Sequence, residues 1–581
     1  MHFRQSIFFL ILGVVLLSAC RQDIDRTEHT MWEEPPEVFV NCSVTGVVKD
    51  EKGLPLKGVS LTLENYMEVS DDNGVFYFKD VQANQKTAVV KANLDGYMEG
   101  TTSFIPIVNN VHLVEIVLRK INFTGNINGL TGGKVQDGDA RVEFPANAFV
   151  QPNGIPVDGD IGVYFGSYSN GSPHLERDLP GNYIGHTERD TTVALVPFHT
   201  MHIEAYHTNH ERLYLQSGNT ISLELPIPGG VDAAALEEAM LWHFDPETGF
   251  WDRSAPIVLS GHTIQGTLDA PGWWVIATMQ SKTAVRVSLE MNNRVAFPFE
   301  EIIVKDASTR ALLAVGRSGG TGLLEVVVPR GGELEIGLRH NLQLEQTAFR
   351  FEGEKAKAKL LLHPTDLINN VHARMINCEG KVVRLGYYML KSGEKILGVH
   401  PFRQSSNASQ DWPMFLPRDS FGHVLVLGGD LVTAQTGVTD DYVFVRNRLF
   451  TGDILVCNGG DKTFVRMQRD QDPAILTLPA KLESGLDTTS LVIEVDFVDG
   501  VHFVMWLPVD VSRQTRKAKY LKVTRGGYQI ESGKNIEGDV SLRLSEVGQE
   551  PGTVVKGEFS CSYNENGKKH RLEGQFAALR Q

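Results

Sequence analysis

The sequence predicts an all-β protein of tandem antiparallel β-sandwich domains, which follow a short N-terminal export segment and a tether. Three observations carry this. Segments such as VSLTLENY (59–66) and LVIEVDFV (491–498) alternate apolar and polar residues, the period of a strand with one buried face. Fifty-six glycines and 25 prolines, together with Asn and Asp, break these segments at short intervals, as turn residues do. Only VDAAALEEAMLWHF (231–244) carries a helix-like cluster.

At the N-terminus, Arg4 precedes an apolar run of 11 residues, 7–17. A membrane-spanning helix needs about 20. A basic start, a short apolar core and small residues describe a cleavable export signal over 1–19. Leu17, Ser18, Ala19 and Cys20 resemble the bacterial lipoprotein lipobox. That resemblance implies a diacylglycerol thioether on Cys20 after cleavage. Each buried methylene contributes about 0.8 kcal/mol, so two or more acyl chains anchor stably where one does not. Residues 20–40 then form an acidic tether with a Pro-Pro pair, too polar to bury much surface. Its first acids resemble the surface-export signal of Bacteroidetes lipoproteins, although Ile24 interrupts Asp23 and Asp25. The location implied is an outer membrane lipoprotein, with the cell surface preferred to the periplasm.

A formal charge of −16 argues against a nucleic-acid surface, which needs a basic patch. Residues 41–119 predict the first domain. Its strands enclose turns at 50–55 and 71–74, with Gly46, Val47, Gly53, Pro55, Leu56, Gly58, Val59, Asp71, Gly74 and Phe76 in order. The pattern resembles the carboxypeptidase regulatory-like domain, a transthyretin-like sandwich. The resemblance implies a fold and no catalysis, with the glycines in turns that need positive φ.

Residues 120–280 predict the second domain. Gly132, Gly133, Phe144, Pro145, Ala148, Phe149, Pro180, Gly181, Trp242, Phe244, Asp245, Gly249 and Trp251 occur in the order of a ZU5-like segment, which this stretch resembles. Some ZU5 relatives cleave themselves at His-Phe-Ser. Here the corresponding place reads DAPGWW (269–274), without a serine nucleophile, so self-cleavage is not expected. Residues 281–365 read as another transthyretin-like sandwich, 366–460 as a fourth sandwich, and 461–581 as a C-terminal β domain ending in a hairpin around 564–567. Cys378 and Cys457 lie near the first and last strands of the fourth domain, and are a candidate disulfide if those strands are neighbours.

Candidate chemistry is sparse. His112 and Glu115 match a His-x-x-Glu zinc pair, but residues three apart on a strand face opposite ways. FHTMHIEAYHTNHERL holds His199, His202, His207 and His210, and imidazoles are common metal ligands. On a hairpin, His207 and His210 fall at the turn while His199 and His202 face opposite sides. Solvated hairpin histidines are therefore preferred to a metal site. Adjacent Trp273 and Trp274 raise the alternative of a sugar platform on whichever ring faces out, but neighbours on a strand face opposite ways, one ring is expected in the core, and packing is preferred. Trp242 and Trp251 are expected to pair across a hairpin. DDNG (71–74) and the DGD tripeptides (137–139, 158–160) read as turns rather than calcium loops. No nucleophile elbow or phosphate-binding glycine loop is present in the sequence.

The expectation is a lipid-anchored, non-catalytic envelope protein that presents sandwiches as a surface scaffold or adhesin, with no cofactor. Its expected partners are the membrane, through the anchor, and an envelope protein or polysaccharide. Glycan capture on an aromatic platform is the first alternative. A metal-dependent enzyme built on the histidine cluster is the second.

Overall fold

The computed structural model describes residues 38–580 except 170–171, 188–190, 230, 232, 292–293, 340–343, 364–367, 405–409, 416–423, 440–442, 446–447, 458–462, 471–474, 478–479, 485–488, 498–499, 513, 526–527, 549 and 551–552. The export signal, Cys20 and most of the tether lie outside the described residues.

The first sandwich contains β1 (Phe39–Asp50), β2 (Ser60–Leu63), β3 (Tyr66–Val69), β4 (Val75–Asn84), β5 (Ala88–Asn93), β6 (Gly100–Phe104) and β7 (Val111–Leu118). One sheet runs β4-β1-β7 and the facing sheet β3-β2-β5-β6. β1 is antiparallel to β4 and parallel to β7. Val44, Val48, Leu61, Phe76, Phe78 and Ile116 fill the space between the sheets. The turns follow from side-chain chemistry. Asp50 Oδ1 accepts the N–H groups of Lys52 and Leu54 at 2.9 and 2.8 Å, and Asp71 Oδ1 accepts those of Asn73 and Val75, both at 2.9 Å. Gly53 and Gly74 occupy left-handed backbone, φ 86° and 74°. Gly46 has a different reason: a Cβ there would stand 2.3 Å from the Phe76 ring.

This topology recurs in the third and fourth sandwiches, the fourth adding an edge strand, Val443–Val445. In the third sandwich, Lys282–Met291 lies between antiparallel Leu323–Pro329 and parallel Lys355–Leu362. The facing sheet there is Leu312–Arg317, Glu301–Asp306, Glu333–Leu338 and Ala348–Arg350. In the fourth, Ile368–Asn377 lies between antiparallel Gln410–Phe415 and parallel Arg448–Val456. Its facing sheet is Lys395–Arg403, Leu385–Ser392, Val424–Asp430 and Thr436–Thr439. The turn after the first strand is the same in all three. Gly53, Arg294 and Gly380 each donate their N–H to the carbonyl three residues back, with φ of 86°, 65° and 76°.

The second domain pairs a seven-stranded sheet with a five-stranded one. Ile127, Val142, Phe144, Phe165, Ile203 and Trp274 lie in the core between them. Strand Thr192–His207 runs through the larger sheet between Asp160–Ser169 and Gly272–Gln280, and its residues from His199 to Tyr206 are buried on both faces. A helix, α1 (Pro173–Asp178), covers part of the outer face through Leu175. The helix-like cluster at 231–244 resolves instead into a short 3-10 turn, Ala233–Leu236, and strand Met240–Phe244.

The C-terminal domain departs from the two-sheet plan. Its ten described strands form one continuous sheet that wraps a single core with Phe503, Met505, Phe559, Tyr563 and Phe576. Strand Lys568–Arg580 pairs on both sides, antiparallel to Val554–Glu565 and to Phe464–Arg469. Its hairpin turns at Asn566 and Gly567, both with positive φ, as a two-residue turn of this hand requires.

Candidate functional site

The histidine cluster does not converge. His199 is buried and its Nε2 lies 2.7 Å from Ser167 Oγ; burial alone pushes its pKa down to about 4. His202 is buried too, stacked on Trp273 with ring centroids 4.3 Å apart, and its Nε2 lies 3.2 Å from Glu204 Oε1. Glu204 also accepts two hydrogen bonds of 2.8 Å from the Arg212 guanidinium. Burial raises the Glu204 pKa, but Arg212 and His202 outweigh it and leave the carboxyl below its usual range. The expectation of solvated histidines fails for these two, because their strand is central and covered on both faces. His207 ends the strand, and His210 stands in the turn with φ 68°. Among the described residues no group of three or more His, Cys, Asp or Glu is placed to hold a metal ion.

Trp273 and Trp274 divide between core and rim. Trp274 is fully buried against His243, its indole N–H donated to Ala270 O at 3.0 Å, so it offers no face to a ligand. Trp273 is half-buried, with one flank on His202 and Tyr168. Trp242 and Trp251 are both buried but not paired: Trp251 stands opposite Phe244, edge to face at 5.2 Å. His112 accepts the Ile107 N–H at 3.0 Å and packs on Phe104, whereas Glu115 lies on the other face of β7.

The most developed chemistry lies between sandwiches. Glu115 joins Lys49 at 2.5 Å and reaches Arg317 of the third sandwich at 3.1 Å. Arg317 continues to Glu301 at 2.9 Å, and Glu301 to Arg339 at 2.8 Å. Burial pushes the Glu115 carboxyl up, but Lys49 and Arg317 outweigh it and hold its pKa at about 2. Lys49, Glu115, Arg317 and Arg339 line a cavity of about 200 Å³, with Phe299 and His400 on its wall as well. His400 packs edge to face on Phe299 with ring centroids 4.9 Å apart, and burial lowers its pKa to about 4.

A second junction joins the first and fourth sandwiches. The Tyr387 hydroxyl donates to Asp71 Oδ2 at 2.6 Å and accepts from Asn73 Nδ2 at 2.8 Å. Its ring sits among Val47, Val75, Met389 and Val399. Asp71 therefore builds its own turn with one oxygen and holds the neighbouring sandwich with the other. Within the fourth sandwich, Cys378 and Cys457 follow directly on the two parallel strands and are bridged, with Cα atoms 5.2 Å apart. Cys42 and Cys561 are buried thiols.

Sequence reading found none of these junction roles. Their trace is the loss of alternation: β1 and β7 carry apolar residues on both faces, as strands covered on both sides do.

No family model and no curated protein matches the sequence. Among solved structures, the Bacillus anthracis TIE protein aligns over 56% of this chain and 51% of its own, at 11% identity and a TM-score of 0.13. This chain thus spans about half the length of that protein. The major pilin subunit of Bacillus cereus aligns over 56% of this chain and 100% of its own, at 8% identity and a TM-score of 0.13. A Bacteroides fragilis protein of unknown function aligns over 42% and 100%, at 9% identity and a TM-score of 0.14. Scores this low carry no argument about what this chain does.

Proposed function

We propose that this chain is a lipid-anchored outer membrane protein, held through Cys20, that presents interlocked β-sandwiches at the cell surface as a non-catalytic scaffold or adhesin. The observation that supports presentation is the chemistry of the junctions. Sandwiches strung on free linkers need no buried ions between them, and burying unpaired charge costs several kcal/mol. Here the Glu115–Arg317 ion pair crosses one junction and the Tyr387–Asp71 hydrogen bond crosses another, each group met by a partner from the adjacent sandwich. Such pairing favours one fixed arrangement of domains, which suits a surface that must meet a partner in a defined geometry. The partner is an envelope protein or a polysaccharide.

The test treats intact cells with an impermeant protease and follows the full-length chain, alongside a Cys20→Ala variant. Digestion of the wild type without lysis, and loss of membrane association in the variant, are expected. Protection until lysis contradicts surface display, and a variant that still partitions with membranes contradicts the anchor.

A further inference from the structure

The C-terminal domain keeps an aromatic pair on its solvent side. Strand Val501–Pro508 alternates cleanly: Phe503, Met505 and Leu507 face the core, and the side chains between them face out. Trp506 stands on that outer side at 37% exposure. Directly opposite on the next strand is Tyr520, with ring centroids 5.0 Å apart and the planes inclined by 45°. The two rings form a platform two strands wide, and strands lie about 4.8 Å apart.

Polar groups continue the same face. Lys522 and Glu531 are cross-strand partners one pleat repeat further, about 7 Å along the strands. His502 and Gln529 follow in the next row, both opposite Thr524. The Tyr520 hydroxyl donates to Glu531 Oε1 at 2.6 Å, and the Gln529 amide and Lys534 ammonium bond its other oxygen. His502 lies 2.8 Å from Asp496 and 3.3 Å from Glu494. Carboxylates and amides are thus fixed by their neighbours beside two ring faces.

We propose that this outer face, centred on Trp506 and Tyr520, binds an internal stretch of a neutral polysaccharide. Pyranose rings offer apolar C–H faces that stack on indole and phenol, and hydroxyls that bond carboxylates, amides and ammonium groups. Glu531 pairs with Lys534, and Glu494 and Asp496 add two further carboxylates beside His502, so the face carries no excess of cations to draw an anionic chain. An open sheet face admits the middle of a long chain as well as its end. A cross-strand aromatic pair also stabilises a sheet, so stability and binding must be read separately. The site goes beyond the scaffold reading and is independent of the lipid anchor, so failure of either leaves the other standing.

The test runs the purified full chain in native gels cast with an α-glucan, a mixed-linkage β-glucan or a galactomannan, and with polygalacturonate as the anionic counter-probe. At least one neutral polysaccharide should retard the chain. Trp506→Ala and Tyr520→Ser should each weaken that binding by about tenfold or more, equivalent to 1.4 kcal/mol, while the chain stays folded and melts only slightly lower. Trp273→Ala should bind as the wild type does. Two variants on different strands keep the test decisive if one of them folds poorly. Lack of retardation by all three neutral polymers, retardation by polygalacturonate alone, or wild-type binding by both variants overturns the proposal.

Discussion

Removing one oxygen at the junction of the first and fourth sandwiches tests whether they are locked. Tyr387→Phe keeps the ring in its apolar setting and deletes the hydroxyl. Two bonds go with it: the 2.6 Å bond to the Asp71 carboxylate and the 2.8 Å bond from Asn73. A hydrogen bond to a charged group contributes about 1.5–3 kcal/mol, and a buried donor left without a partner costs about 1–3 kcal/mol. Water entering the vacated space recovers part of this, so a loss of about 2–4 kcal/mol is expected. The assay is amide hydrogen exchange on the full chain. Local opening of strand Leu385–Ser392 and of β4 should become about 30- to 900-fold more frequent, the equivalent of that loss. Both must respond, because the bond joins the first of these strands to the turn from which β4 starts, where Asp71 also holds the Val75 N–H. Burial raises the Asp71 pKa, and the Tyr387 hydroxyl works against that rise. Deleting the hydroxyl therefore raises it further, and the penalty should shrink as pH falls and Asp71 becomes protonated. Unchanged exchange in β4, or a change confined to the fourth sandwich, refutes the lock.

Three further outcomes follow from other buried groups. His112, His199 and His400 have pKa values lowered by burial to about 4, so the unfolded chain binds protons between their usual value and 4 while the folded chain does not. Stability should be full above about pH 6.5 and fall as pH drops toward 4, by up to about 3 kcal/mol for each ring; a melting temperature flat from pH 7 to 4.5 contradicts this. Glu115, held at about 2, loses its contribution only as pH falls from the usual carboxylate range through 2, so it should not shape that window. Reducing the Cys378–Cys457 bridge, which closes a separation of 79 residues, should destabilise the fourth sandwich by about 4.5 kcal/mol on the chain-entropy scale, read as earlier urea unfolding of that sandwich in the Cys378→Ser, Cys457→Ser pair. Arg374 and Asp453 form a buried pair with two 2.7 Å bonds, so Asp453→Asn should cost about 3–5 kcal/mol, whereas a variant with both replaced by apolar residues should recover most of that in the same melt.

How much was legible depended on where each residue's partner sits in the chain. Asp50, Gly53, Asp71 and Gly74 act within five residues of themselves, so the first sandwich announced its turns in sequence. The third sandwich makes the same turn with Arg294 in left-handed backbone, which removes the glycine signal while the topology stays. His199 and His202 read as hairpin histidines because alternation describes one strand and not what covers it; Trp273 stacks on His202, and the strand is buried on both faces from His199 to Tyr206. Glu115 and Arg317 are 202 residues apart, and Asp71 and Tyr387 are 316 apart. No local pattern links such pairs, and only the doubled apolar faces of β1 and β7 mark that another domain lies against them. Trp506 was not singled out in the sequence, although it alternates with Phe503, Met505 and Leu507, and its pairing with Tyr520 needed the strand register.

Whether the sandwiches form one locked body is read most directly from a distance between the first and the fourth. Spin labels at exposed Met67 and Val432 leave the junctions intact, and pulsed electron resonance then reads the spread of their separation. Locked sandwiches predict a single narrow distribution that broadens in the Tyr387→Phe variant. A distribution already broad in the wild type, and unchanged by the substitution, would contradict it.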